Sequence, residues 1–114
     1  NGVPDDLRQI TTFSEEICKF ATNQNWELIT DYHFGGYGKV NEELIQFINQ
    51  LYKQTQMPLD PVYTGKMFFF FLDLIHKNYF PDNSKILLIH TGGLQGIKGM
   101  NALLKNKNKT LIDV

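Results

Sequence analysis

Apolar positions recur every three or four residues in residues 7–21 and again after Asn41, and this spacing predicts two helices that each bury one face. Asn41 is suited to cap the second of these helices, because its side chain can accept a hydrogen bond from a backbone N–H of the first turn. Pro58 and Pro61 follow the helix, so we expect it to end before them and to be followed by an extended stretch up to Tyr63.

A third helix is expected from Thr64 to about Asn78. Four consecutive phenylalanines, Phe68–Phe71, place apolar rings around its whole circumference. A helix that is apolar on all sides is buried on all sides, so this one should lie between two layers or need cover from outside the chain. A fourth helix is expected to begin near Leu94.

Two apolar segments between the helices favour β-structure. Residues 26–30 are short and partly alternating, and residues 85–90 form the continuous apolar run that is typical of a buried parallel strand. Residues 59–63 could add a third strand. Strands that alternate with helices predict an α/β fold, a layered domain around a parallel sheet. So few strands, and a first residue other than methionine, predict an incomplete piece of that domain.

Composition and charge narrow the possible functions. The 114 residues allow one domain, and 11 basic against 12 acidic residues give a net charge of −1. Nucleic-acid-binding proteins usually have a basic excess, so no nucleic-acid partner is expected. Cys18 is the only cysteine and the three histidines lack ligand spacing, which argues against a metal site and favours the cytoplasm. No apolar run approaches the roughly 20 residues that span a bilayer, and the polar N-terminus does not resemble a signal peptide.

Three loops combine glycine with hydroxyl side chains where ligands commonly bind in open α/β sheets. They are residues 35–38 after the first predicted strand, residues 63–66 before the third helix, and residues 91–93 after the last strand. Glycine lets a ligand approach the backbone, and hydroxyl groups donate or accept protons. Each loop alone also fits an ordinary tight turn, and His90 fits either a catalytic or a hydrogen-bonded structural histidine.

Two of these segments resemble the C-terminal part of the 1-aminocyclopropane-1-carboxylate (ACC) deaminase and D-cysteine desulfhydrase family: Asp60 to Lys66, with the sequence DPVYTGK, and Ile89 to Gly93, with the sequence IHTGG. The segment Gly36-Tyr37-Gly38, followed by Asn41-Glu42-Glu43, resembles the tyrosine-bearing loop of the same family. The similarity runs from about residue 26 to residue 100. Three motifs in the right order are a stronger signal than any one of them.

The resemblance implies roles for five residues. Tyr37, Tyr63 and Thr91 follow one another at separations of 26 and 28 residues, which fit the family's pattern. Tyr37 and Tyr63 match the two active-site tyrosines that face the substrate and help to move its protons. Thr64 and Thr91 match two positions beside the pyridine ring of the cofactor, pyridoxal phosphate, and Gly92 is expected to contact the cofactor as well.

The two threonines also bear on the type of activity. In ACC deaminases the position of Thr64 is typically glutamate and that of Thr91 leucine, whereas D-cysteine desulfhydrases have small hydroxyl residues at both. A carboxylate beside the ring nitrogen keeps it protonated, which makes the ring the strong electron sink needed to open a cyclopropane. Because threonine is a weaker partner, this chain resembles the desulfhydrase type.

The resemblance further implies a tryptophan-synthase-β-like fold, known as fold type II. Residues 1–114 would be the C-terminal segment of the large cofactor-binding domain, with the Schiff-base lysine in an N-terminal part absent from this chain. The expected activity is β-elimination of D-cysteine to pyruvate, ammonia and sulfide, with ACC deamination as an alternative. A non-catalytic anion-binding or interaction module is a second alternative. The expected partners are a small amino-acid substrate, the missing N-terminal part and a second copy in a homo-oligomer, and the isolated chain is expected to be inactive.

Overall fold

The computed structural model describes residues 15, 16, 19 and 25–114. The chain divides into two compact units, Asn1–Lys39 and Val40–Val114. The first predicted helix, residues 7–21, falls largely outside the described residues, and so does Cys18.

The second unit contains three helices, and their ends follow local signals in the sequence. They are α1 (Glu42–Thr55), α2 (Thr64–His76) and α3 (Gly96–Asn106). The Asn41 side chain accepts a hydrogen bond from the Leu44 N–H at 2.8 Å, so the predicted cap of α1 is confirmed. Helix α1 ends where Gln56 adopts a left-handed conformation (φ 61°), two residues before Pro58. Helix α2 begins at the predicted residue, and α3 begins two residues after Leu94.

Helices α1 and α2 pack against each other and form the centre of the core. Phe47 on α1 and Phe69 on α2 meet edge to face, with ring centroids 5.4 Å apart. The buried apolar side chains come from all three helices and from the segments before α2 and after α3. They are Leu44, Ile45, Ile48, Leu59, Leu74, Leu104 and Ile112.

Two asparagines fasten the segment that follows α3. Asn101 on α3 donates to the carbonyl of Ile112 at 2.9 Å and accepts from its N–H at 2.8 Å. Asn49 on α1 donates to the carbonyl of Leu111 and accepts from the N–H of Asp113, at 2.9 and 2.7 Å. The side-chain amides thus pair with this backbone as a neighbouring strand would, and they connect it to both helices.

The phenylalanine-rich part of α2 is less enclosed than the sequence predicts. Phe68–Phe71 are all half-buried, and the buried residues of the helix are Thr64, Gly65 and Leu74. The described part of the chain therefore does not cover this helix on all sides.

The predicted strands are absent from the described residues. Residues 26–30 and 85–90 have no regular secondary structure, and residues 61–63 form a turn instead of an extended stretch or a third strand. A strand needs the backbone of a neighbour to bond to, and no such neighbour lies beside residues 85–90 in the described part of the chain. Ile86, Leu87 and Ile89 are accordingly exposed, with Leu87 at 82%, whereas Leu88 is half-buried. Among the described residues, no helix has the length and apolar character needed to cross a membrane.

A buried carboxylate and two loops form the candidate site

Asp60 organises the turn that leads into α2. Its side chain is 1% exposed, and its carboxylate accepts four hydrogen bonds from the residues that follow. Oδ2 accepts from the N–H groups of Val62 and Tyr63, both at 2.7 Å. Oδ1 accepts from the Thr64 N–H at 2.8 Å and from its hydroxyl at 2.6 Å. Asp60 therefore stabilises both the turn of residues 61–63 and the first residue of α2, Thr64.

The Thr64 hydroxyl is bonded in both directions. It donates to the Asp60 carboxylate and accepts a hydrogen bond from the Asp60 N–H at 2.9 Å. Thr64 is 1% exposed. Its hydroxyl thus belongs to a closed pair with Asp60, and the side chain is turned into the protein.

The ionised form of Asp60 is favoured in this environment. Burial by itself raises the pKa of a carboxyl group, because it removes water from the charge. The hydrogen bonds from the Thr64 side chain and from the N–H groups of Thr64, Tyr63 and Val62 outweigh burial and hold the pKa of Asp60 below its ordinary value of 3.8. The turn is consequently stabilised by hydrogen bonds to an ionised carboxylate.

Two glycines lie against Asp60 where no side chain would fit. A Cβ atom on Gly65 would lie 2.6 Å from the Asp60 carbonyl oxygen and 2.7 Å from Cδ1 of Ile48. A Cβ atom on Gly93 would lie 3.0 Å from Cγ of Asp60, and Gly93 has a φ of +86°. The contact with Gly93 brings the loop of residues 90–93 directly onto the turn that precedes α2.

His90 connects the same two segments through both ring nitrogens. Nδ1 accepts a hydrogen bond from the Gly92 N–H at 3.1 Å, so it carries no proton. Nε2 lies 2.8 Å from the carbonyl oxygen of Pro58, to which it donates in the neutral tautomer that Nδ1 requires. Of the two roles left open for His90, the hydrogen-bonded structural role is the one that the geometry supports.

The structure brings together two of the three predicted loops. Tyr63 precedes α2 and is 55% exposed, Thr91 is exposed, and Gly92 (φ +93°) has open space where a Cβ atom would stand. Thr64 is next to Tyr63 in sequence but faces inwards. The second unit therefore exposes the side chains of Tyr63 and Thr91, and the backbone at Gly92 is open to the approach of a ligand.

Tyr37 belongs to the first unit, and its loop has the backbone that its glycines predict. Gly35, Gly36 and Gly38 all have positive φ values, of 99°, 132° and 69°. Nδ1 of His33 accepts a hydrogen bond from the Gly35 N–H at 2.9 Å. The Tyr37 side chain is 65% exposed, so its hydroxyl can be reached by a ligand.

Asp60 is the residue of the site to which the sequence analysis gave no role of its own. The signal was present, because an aspartate followed by a proline is typical of the first two positions of a turn. The described residues contain no group of three or more side chains that could hold a metal ion.

Comparison with known proteins identifies the relatives of this chain. An ACC deaminase from Bradyrhizobium sp. (strain ORS 278) is 35% identical over 113 residues, which cover 93% of this chain and 33% of that protein. A protein of the same name from Rhizobium rhizogenes is 38% identical over 91 residues, 80% of this chain and 27% of that protein. A Pyrococcus abyssi protein provisionally given that name is 45% identical over 91 residues, with the same coverage of 80% and 27%. No protein-family model and no solved structure matches the chain.

These similarities confirm the family resemblance that the three loops carry. The chain is homologous to a segment of proteins named ACC deaminase, which are enzymes. It spans a third or less of the length of the curated relatives described above. The names of the three relatives described above support the family, and none of the three is named D-cysteine desulfhydrase.

Enzymes of this family use pyridoxal phosphate, and the described residues fit one wall of a site for it. Tyr63, Thr91 and the open backbone of Gly92 can face a flat ring and a small amino acid. The N-terminus of α2 does not fit the phosphate group, because the Asp60 carboxylate already occupies the N–H groups that would bind it. These N–H groups are therefore not available to a phosphate group.

Proposed function

We propose that this chain forms one wall of the active site of a pyridoxal-phosphate-dependent enzyme that acts on a small amino acid. In this proposal residues 1–114 are the C-terminal segment of the large cofactor-binding domain, and a preceding part carries the Schiff-base lysine. Two observations support it: the match covers 33% of the Bradyrhizobium relative, and the apolar run of residues 85–90 is exposed as a strand without a neighbour would be. The fold-type II architecture is part of the same proposal.

The residues of this wall would act on protons and on the position of the substrate. Bound pyridoxal phosphate supplies an electron sink for the charge that develops at the α-carbon of the substrate. Tyr63 offers a phenol group that can hold or deliver a proton at the α-carbon or the amino group, and the family resemblance is the basis for proposing the same role for Tyr37. Thr91 and Gly92 would line the side of the ring, where a hydroxyl makes the pocket more polar than leucine does.

The residue at position 64 distinguishes the desulfhydrase activity from the deaminase activity in this proposal. Its hydroxyl bonds to Asp60 as donor and as acceptor, so it offers neither a carboxylate nor an unbonded hydroxyl to the ring nitrogen. A ring nitrogen without such a partner is a weaker electron sink, which suffices for β-elimination of thiol and is poorly suited to opening a cyclopropane. We therefore propose D-cysteine desulfhydrase activity, with pyruvate, ammonia and sulfide as products. ACC deamination is the second candidate, which the names of the relatives favour.

The two candidates differ in their keto-acid product. The natural polypeptide that carries this sequence, loaded with pyridoxal phosphate, is given D-cysteine and ACC separately, and the product is identified. Pyruvate and sulfide from D-cysteine, with no product from ACC, is the expected result. 2-Oxobutanoate from ACC would refute the argument from the two threonines.

A double variant tests the residues themselves. Thr64→Glu together with Thr91→Leu should lower kcat/KM for D-cysteine at least tenfold, because the double change breaks the pair of Thr64 with Asp60 and removes the Thr91 hydroxyl from the pocket. His76→Gln, on the exposed end of α2, serves as the control and should leave the activity within about twofold. If neither amino acid reacts with the unaltered protein, the enzyme proposal is wrong and the non-catalytic module is favoured.

The remaining expectations about partners stay proposals. Assembly with the preceding part of the polypeptide would cover the exposed side chains of residues 85–90, and a homo-oligomer is proposed from the family resemblance alone. The cytoplasm is the proposed compartment, which the single cysteine of the sequence supports.

A further inference from the structure

The loop that carries Thr91 is anchored at both of its ends to the segment that precedes α2. At one end, Nε2 of His90 lies 2.8 Å from the carbonyl oxygen of Pro58. At the other end, Gly93 packs so closely on Asp60 that a Cβ atom would lie 3.0 Å from Cγ of the carboxyl group. Thr91 and Gly92 lie between these anchors, so their position relative to the turn is set by residues that flank them.

The His90 anchor requires one form of the imidazole ring. The Gly92 N–H donates to Nδ1, so the proton of the neutral ring must be on Nε2, where it can bond to Pro58. The opposite tautomer would place two donors against each other at Nδ1 and two acceptors against each other at Nε2. One side chain thus bends the loop locally and fastens it to a segment 32 residues away.

We propose that His90 is a positioning residue, which holds Thr91 at a fixed distance from Tyr63 through the bond to Pro58. His90 takes no proton from the substrate in this scheme, because both ring nitrogens are used in backbone hydrogen bonds. The inference deepens the proposed function and rests on it, since the position of Thr91 matters for turnover only if the two loops share a site.

Two amide variants separate the two bonds of the ring. His90→Gln places an amide N–H near the position of Nε2 and can keep the bond to Pro58, whereas His90→Asn reaches only the position of Nδ1 and can keep the bond to Gly92. In the natural polypeptide loaded with pyridoxal phosphate, His90→Asn should lower kcat/KM for the reacting amino acid about five- to tenfold, as expected for one lost hydrogen bond. His90→Gln should stay within about twofold, and His76→Gln is the control for a histidine outside the site.

Two structural measurements test the hydrogen bonds of the ring independently of turnover. Nitrogen-15 NMR of the unaltered protein should show His90 protonated at Nε2 and unprotonated at Nδ1. Hydrogen exchange at the Gly92 N–H should be faster in His90→Gln and unchanged in His90→Asn. Hydrogen exchange reports on the local bond to Gly92, while turnover reports on the anchor to Pro58.

The possible outcomes separate this inference from the proposed function. The Nε2–H tautomer together with a selective loss of kcat/KM in His90→Asn supports the positioning role. The Nδ1–H tautomer, or equal activity of the two amide variants, overturns it while leaving the desulfhydrase proposal standing. If the unaltered protein turns over neither amino acid, the proposed function fails. The Nε2–H tautomer then supports the bond from His90 to Pro58 and the Nδ1–H tautomer overturns it.

Discussion

Replacing Asp60 by asparagine should destabilise the second unit by about 2–4 kcal/mol, because an amide cannot serve the four donors that surround the carboxylate. With the amide oxygen at the position of Oδ2, the N–H groups of Val62 and Tyr63 keep an acceptor. The amide NH₂ then faces the buried N–H of Thr64, which loses its partner. One buried donor without an acceptor costs about 1–3 kcal/mol, and two bonds to a charge become weaker bonds to a neutral oxygen.

The effect of the Asp60→Asn change should depend on pH in a defined direction. The pKa of Asp60 lies below 3.8 in the folded protein, because the bonds from Thr64, Tyr63 and Val62 outweigh the effect of burial. The folded state therefore binds this proton less readily than the unfolded state does. The ionised carboxylate stabilises the fold at every pH above 3.8, and this stabilisation is lost as the pH falls through the lower, folded pKa. The difference in stability between the two proteins should consequently shrink in acid.

Urea unfolding followed by far-UV circular dichroism, at pH 7 and at a series of lower pH values, measures both effects. Asp73→Asn is the matched control, because it makes the same chemical change in α2 at a half-buried aspartate paired with Lys77 at 2.8 Å. A partly exposed ion pair between residues four positions apart contributes about 0.5 kcal/mol or less to the free energy of unfolding. If Asp60→Asn lowers the free energy of unfolding no more than Asp73→Asn does, Asp60 does not hold the turn.

Two further changes test the packing around the site and the end of the chain. Gly65→Ala should cost about 1–3 kcal/mol, because its methyl group would lie 2.6 Å from a backbone oxygen of Asp60, whereas Gly99→Ala meets open space and should be neutral or stabilising by up to about 1 kcal/mol. Asn101→Ala removes both hydrogen bonds to Ile112 and should cost about 1–2 kcal/mol. Urea unfolding measures each change, and equal values for the two glycine variants would contradict the close contact at Gly65.

The sequence predicted those parts of the fold that short-range interactions determine. The cap at Asn41, the end of α1 before Pro58 and the start of α2 at Thr64 all depend on residues within one helical turn of each boundary. The glycine loop around Tyr37 is a further local feature, since positive φ values follow from the absence of a Cβ atom.

The strands could not be predicted in the same way, because a strand depends on a partner that its own sequence does not contain. Residues 85–90 have the composition of a buried parallel strand, yet Leu87 and Ile89 are 82% and 63% exposed in the described structure. The apolar pattern reports what the segment would bury in the presence of neighbours on both faces. The apolar pattern of residues 85–90 and their structure thus differ because the described part of the chain contains no neighbouring strand or layer that would bury this segment.

At the candidate site too, the sequence predicted which residues are involved but not the directions in which their side chains point. The pattern DPVYTGK identified Tyr63 and Thr64 together, but it could not show that one side chain points outwards and the other inwards. Asp60 determines that difference, because its carboxylate accepts a hydrogen bond from the Thr64 hydroxyl and its backbone N–H donates one to the same hydroxyl. A longer side chain such as glutamate could not form this closed pair, so it would have to point elsewhere. The residue at position 64 can therefore either stabilise the turn or reach the ligand, and threonine does the former.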